Sequence, residues 1–208
     1  MKSIVCFGDS NTWGYIPGSG GRFSWNSRWT GRLQGILGES ARVIEEGLSG
    51  RTTCLDDPLS IGKNGLAALP IILQTHSPID LIVIMLGTND MKTRFNSPAF
   101  AIAQGALSLL KACLAFDPRP NEILLVSPAL VVETKHKENS YGFEGALEKS
   151  LQLAEHYEYF AKQTDSHFYN AAKSVVSSRL DGIHWDEEQH SKFAKDISSV
   201  CKTILNLS

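Results

Sequence analysis

Hydrophobic positions fall into two rhythms that alternate along the chain. Short apolar runs, "SIVCF" (3–7), "ARVIEE" (41–46), "DLIVIML" (80–86), "EILLVS" (122–127) and "HFYN" (167–170), punctuate it. Each is followed by a longer stretch, 29–37, 66–73, 99–114, 145–162 and 186–207, in which apolar residues return every third or fourth position. The short runs read as strands and the longer stretches as helices, because a half-buried helix repeats near 3.6 residues while a strand buried on both faces is apolar throughout. In "ALEKSLQLAEHYEYFAK" the face is marked by Leu147, Leu151, Ala154 and Tyr157 or Glu158. Strand and helix in alternation predict βαβ units, and therefore an α/β fold with a three-layer α/β/α arrangement around a five-stranded parallel sheet. Residues 1–208 read as a single domain, a length that fills one core well and leaves little for a second.

Two stretches, 11–28 and 129–142, follow neither rhythm. Each begins beyond a strand end, and loops of that length in a compact α/β protein are often functional. Composition narrows the partners. Twenty basic against 22 acidic side chains, a net charge of −2, give no basic excess to attract nucleic acid or anionic lipid. The longest apolar run, 81–86, is far short of the roughly 20 residues of a membrane helix. "MKSIVCF" predicts no cleaved leader, and Cys6, Cys54, Cys113 and Cys201 stand singly without metal-ligand spacing, so the expectation is a cytoplasmic protein with reduced thiols.

Three of the strand ends carry small polar signatures: Gly8-Asp9-Ser10 after the first, Gly47-Leu48-Ser49-Gly50 after the second and Gly87-Thr88-Asn89-Asp90 after the third. In a parallel sheet these ends share one edge, so residues about forty apart in sequence become neighbours there. A fourth element, Asp181-Gly182-Ile183-His184, precedes the last helix. Taken singly, each has a structural reading: a strand-end serine is more often a helix N-cap, Gly50 serves a turn at positive φ, and Asn89 and Asp90 serve turns. Together they supply a hydroxyl, backbone amides, a carboxamide and a carboxylate–imidazole pair, the parts that acyl transfer from an ester needs. A serine hydroxyl needs a base during attack, and a neutral imidazole suits that task near neutral pH. Asp181 and His184 stand three apart, so one turn can place them side by side.

"FGDSNTWG", "GLSGRTT", "GTND" and "DGIHWDEEQH" resemble, in order and spacing, the four sequence blocks of the SGNH, or GDSL-type, hydrolases, over residues 4 to 190. "GDSNTWGY", "RWTG", "VIEEGLSGRTT" and "IMLGTND" look most like the small bacterial arylesterases and related ester acyltransferases. The resemblance implies a flavodoxin-like SGNH fold, Ser10 as nucleophile, His184 as general base and Asp181 orienting the imidazole. It implies an oxyanion hole from the N–H of Ser10, the N–H of Gly50 and the side-chain amide of Asn89. It implies a small-molecule ester as substrate, no cofactor, no metal and a tendency to homo-oligomers. The chain departs from the family pattern at Glu45, where many members have Asn, and at Arg51, where Asp is frequent; both bear on the hydrogen bonding around Gly50.

All four tryptophans, Trp13, Trp25, Trp29 and Trp185, lie in or just beyond the first long loop or beside His184; either some of them wall an acyl or aryl pocket, with Trp13 and Ile183 as substrate-binding candidates, or they are core or subunit-contact residues. Asp186 to Gln189 read as an N-cap with a reciprocating Gln. A metal-dependent phosphoesterase would need more His and Asp at the strand ends, and His136, His156 and His190 have no evident partners. A non-catalytic module on the same fold is the remaining rival.

Overall fold

The computed structural model describes residues 1–134 and 142–207. Five strands, β1 (Lys2–Gly8), β2 (Ala41–Gly47), β3 (Leu81–Met85), β4 (Glu122–Ser127) and β5 (His167–Asn170), form one sheet in the order β2-β1-β3-β4-β5. All four pairings are parallel. Among the described residues six α-helices connect or follow them: the single-turn α1 (Ser10–Trp13), then α2 (Trp29–Leu37), α3 (Gly65–His76), α4 (Ala99–Ala115), α5 (Ala146–Gln163) and α6 (Glu187–Leu205). This is the predicted α/β/α fold.

The apolar strands are apolar because both faces are covered. Val5 and Phe7 of β1, Ile82 and Ile84 of β3 and Ile123 and Leu125 of β4 point into one core with α3, α4 and α5. Their neighbours Ile4, Cys6, Leu81, Val83, Leu124 and Val126 point into the other, against Trp29 and Leu33 of α2 and Phe193 and Ile197 of α6. Alternate residues of one strand thus feed two cores, as the period-two geometry of a strand requires. Tyr157 of α5, buried in the first core, donates its hydroxyl hydrogen to the Leu86 carbonyl (2.8 Å) just beyond β3. Among the described residues no helix is long and apolar enough to cross a membrane.

The strand order reverses direction between β1 and β3. In open α/β sheets that reversal opens a crevice at the carboxyl ends of the two strands, where ligands bind.

Candidate active site

Register brings the polar signatures together. Gly8 pairs with Gly47 of β2 on one side and with Met85 of β3 on the other, so the three strands end at one level. Gly8 admits no larger residue: a Cβ there would lie 2.1 Å from the Thr12 hydroxyl. The chain then turns into α1, whose cap is Asp9, its Oδ1 accepting from the Asn11 N–H at 3.0 Å. Ser10 is therefore the first residue of the helix and not its cap, and its hydroxyl is left for other work.

That hydroxyl donates to His184 Nε2 at 2.8 Å, and His184 Nδ1 donates to Asp181 Oδ2 at 2.9 Å. A carboxylate can only accept, so the proton sits on Nδ1 and Nε2 faces the serine as an acceptor. Asp181 is buried and fully engaged. It also accepts from the N–H groups of Ile183 (3.2 Å), His184 (3.0 Å) and Gly18 (3.2 Å). Burial by itself would raise its pKa; the hydrogen bond and charge of His184, with these backbone donors, outweigh it and hold the carboxyl below its ordinary value. The imidazole is covered by the Tyr15 ring, stacked at 4.1 Å between centroids.

Asn11, next to the serine, fixes the histidine's segment. Its Nδ2 donates to the Ile183 carbonyl and its Oδ1 accepts from the Trp185 N–H, both at 3.1 Å, so one amide clips the residues on either side of His184.

Opposite them stand three N–H groups. Neither the Ser10 N–H nor the Gly50 N–H has an acceptor among the described residues. Gly50 adopts φ +85°, a conformation glycine takes without strain. Asn89 is buried and donates from Nδ2 to the Arg51 carbonyl (3.1 Å), which orients the amide and leaves its second N–H. The loop carrying Gly50 is tied to the one carrying Asn89 through Asp90, which accepts from the Thr53 N–H (3.0 Å) and hydroxyl (2.5 Å); burial pushes its carboxyl up to about 6. Arg51 donates to the Gly8 and Glu46 carbonyls and stacks on Phe7 at 4.4 Å, lacing the ends of β1 and β2 together. Glu45 is held by Arg22, Arg28 and Thr30.

These groups line a cavity of about 310 Å³ shared by Ser10, Gly50, Asn89, Ile183 and His184 with Tyr15, Ser49, Lys92, Arg94 and Phe143. Ile183 is where the sequence placed it. The tryptophans are not. Trp29 and Trp185 are fully buried in the core beside α2 and α6. Trp25 is 38% exposed beneath Arg28, and Trp13 carries the Arg22 guanidinium at 4.8 Å. None of the four is among the lining residues, and the aromatic walls among the described residues are Tyr15 and Phe143. Asp186 caps α6 as expected, accepting from the Gln189 N–H, but the Gln189 side chain accepts from the Val176 N–H and does not return to the cap.

A family model described as GDSL-like Lipase/Acylhydrolase matches residues 6–191. The chain belongs to this family. Solved structures agree with that membership. A carbohydrate acetylesterase family member from Sinorhizobium meliloti is 38% identical over the whole of both chains, with a TM-score of 0.95. A carbohydrate acetylesterase from the same organism is 35% identical over 98% of this chain and 100% of its own, with a TM-score of 0.94. The inhibitor-bound aryl esterase of M. smegmatis is 36% identical over 99% of this chain and 100% of its own, also with a TM-score of 0.94. No curated protein matches the chain. GDSL-family membership fits an ester-hydrolysing site in the β1/β3 crevice. Among the described residues no three His, Cys, Asp or Glu side chains gather as metal ligands, and His136 lies outside those residues. Sequence reading missed Asn11, Tyr15, Lys92, Arg94 and Phe143. Of these only Asn11 and Tyr15 had a signal, their place in the block around Ser10.

Proposed function

We propose that the protein is a serine esterase that cleaves small carboxylic esters, acetyl and other short acyl groups on an aryl, alkyl or sugar alcohol, through an acyl-enzyme on Ser10. The observation that carries the reading is the continuous relay from the Ser10 hydroxyl through both nitrogens of His184 to Asp181, at 2.8 and 2.9 Å, in a cavity it shares with Gly50, the N–H groups of Ser10 and Gly50 having no acceptor among the described residues. As Ser10 Oγ bonds to the ester carbonyl carbon, its proton passes to His184 Nε2, and Asp181 balances the charge on the ring without taking a proton itself. The carbonyl oxygen becomes negative and is met by the N–H groups of Ser10, Gly50 and Asn89. Collapse of this intermediate breaks the bond to the alcohol, which leaves with the proton from Nε2. Water, deprotonated by the same nitrogen, then releases the acid. An alcohol taking the place of water would receive the acyl group instead, which is the acyltransferase variant of the same site.

The cavity volume supports short acyl groups, since about 310 Å³ lies at the small end of ligand pockets. The carbohydrate acetylesterase relatives favour an O-acetylated sugar as the runner-up to an aryl ester. Steady-state hydrolysis of 4-nitrophenyl acetate, butyrate and laurate tests this reading. Turnover should fall steeply with acyl length and vanish in Ser10→Ala with thermal unfolding nearly unchanged. A maximum at twelve carbons, or a folded Ser10→Ala variant that retains turnover, would overturn it.

A further inference from the structure

We propose that Lys92 makes the cavity over Ser10 selective for esters that carry a second, anionic group, a carboxylate foremost. The inference rests on the ester-cleaving reading above and adds the substrate's charge. Among the described residues the lining of the cavity includes two cations, Lys92 and Arg94, and no acid. The two are differently committed. Arg94 is bonded to Asp57 at 2.7 Å, so its charge is met within the protein. Lys92 has no hydrogen-bond acceptor and no ion pair among the described residues; its Nζ stands 5.6 Å from the Phe143 ring centroid.

An ammonium that is half out of water without a counter-charge is unfavourable unless something else supplies one. Burial lowers the pKa of Lys92 and Arg94 adds to the effect, while Asp57, Asp9 and Asp90 act against it from a distance. Asp9 and Asp90 are themselves buried, and burial raises both of their pKa values. None of them pairs with the ammonium. Position is fixed as well as charge. Lys92 closes the turn Asn89–Met91, its N–H donating to the Asn89 carbonyl at 3.3 Å, so its backbone is held one turn from the residue whose amide is proposed for the oxyanion. The same lining holds Ser49, whose buried hydroxyl has no hydrogen-bond partner among the described residues. A small cavity whose described lining holds one cation without an ion pair fits an acetylated aryl or sugar acid better than a neutral ester of the same size.

The test compares paired esters in wild type, Lys92→Met, Lys92→Arg and Lys92→Glu. One pair puts the charge on the alcohol side, 4-acetoxybenzoate against its methyl ester. The other puts it on the acyl side, 4-nitrophenyl hemisuccinate against 4-nitrophenyl butyrate. The readout is the ratio of kcat/KM for the anionic ester to that for its neutral partner, in which general effects on folding or catalysis cancel. A charge-assisted contact predicts that Lys92→Met lowers this ratio by about tenfold or more on at least one pair. Lys92→Glu should lower it further, Lys92→Arg should hold it within about threefold, and added salt should reduce it in wild type. The pair that responds identifies the side on which the charge sits. An equal ratio in wild type and Lys92→Met on both pairs, including the case where both esters lose activity in parallel because Lys92 serves the oxyanion, overturns the proposal. The ester reading itself is judged separately, by turnover of the neutral methyl ester in wild type and its loss in Ser10→Ala.

Discussion

His184 and His190 lie six residues apart on either side of Trp185, and both are buried. Around His184 every polar atom is answered: Nδ1 by Asp181, Nε2 by the Ser10 hydroxyl, with Tyr15 stacked on one face and the cavity beside it. Around His190 the ring contacts are aromatic. Its Nδ1 accepts from the Trp29 N–H at 3.3 Å, its Nε2 has no hydrogen-bond partner among the described residues, and Phe23 and Trp185 meet the ring at 5.3 and 5.7 Å. Burial, reinforced by the charges of Arg32, His184 and Arg28, drives the His190 pKa down to about 3, so that ring stays neutral. The difference teaches that what flanks a buried histidine decides whether it is equipped to act as a base. A carboxylate on one nitrogen and a hydroxyl on the other make proton transfer possible, whereas an aromatic box makes the same ring a packing residue.

The contrast breaks most visibly if His184 is removed. His184→Ala should lower kcat on a chromogenic acetate ester by about 10³-fold or more, with little change in KM and a melting temperature near that of wild type. His190→Gln, assayed alongside, should stay within a few-fold of wild type; comparable losses in the two variants would erase the distinction.

Asn89 sharpens the other side of the relay. Its amide is proposed to meet an oxygen that becomes negative only after attack, so Asn89→Ala should lower kcat by about a hundredfold while KM moves only a few-fold. A variant that loses affinity and keeps kcat would make Asn89 a binding residue and leave the Ser10 and Gly50 amides as the oxyanion donors.

The smallest effect belongs to His190 and concerns stability. Its folded pKa lies below the unfolded value near 6.5, so protons bind the unfolded chain first as the pH falls, and the stability it contributes is lost from about pH 6.5 downward. Urea unfolding at pH 7 and pH 5 should therefore show about 2 kcal/mol more acid sensitivity in wild type than in His190→Gln. The comparison with the variant is needed because Asp90, raised to about 6, contributes in the opposite sense over the same range. Equal slopes in both proteins would mean that His190 titrates freely.

Much of the fold was legible because strand and helix repeat differently. Trp29–Leu37, Glu122–Ser127 and His167–Asn170 fall where periodicity puts them, and the other predicted elements lie within a few residues of those observed. The strand-end residues were legible too, since a parallel sheet turns three short segments spaced along the chain into one edge. Residues that reach the site only through tertiary packing were not. Phe143 comes from the far side of the long loop after β4, and Lys92 reads in sequence as one more surface lysine. The tryptophans misled because proximity in sequence to a site says little about direction. Trp185 directly follows His184, yet its ring packs at 4.8 Å against Phe193 of α6, where its large apolar surface is covered. The part of the second long loop over 135–141 lies outside the described residues.

The central claim is that Ser10, and no other nucleophile, attacks the ester carbonyl with His184 as its base. Incubating the protein with an aryl organophosphonate and mapping the adduct by mass spectrometry tests it most directly. The account predicts one adduct per chain on the peptide containing Ser10, absent from Ser10→Ala and formed about 10³-fold more slowly in His184→Ala. A folded wild-type protein that is not labelled, or is labelled at a residue other than Ser10, would contradict it.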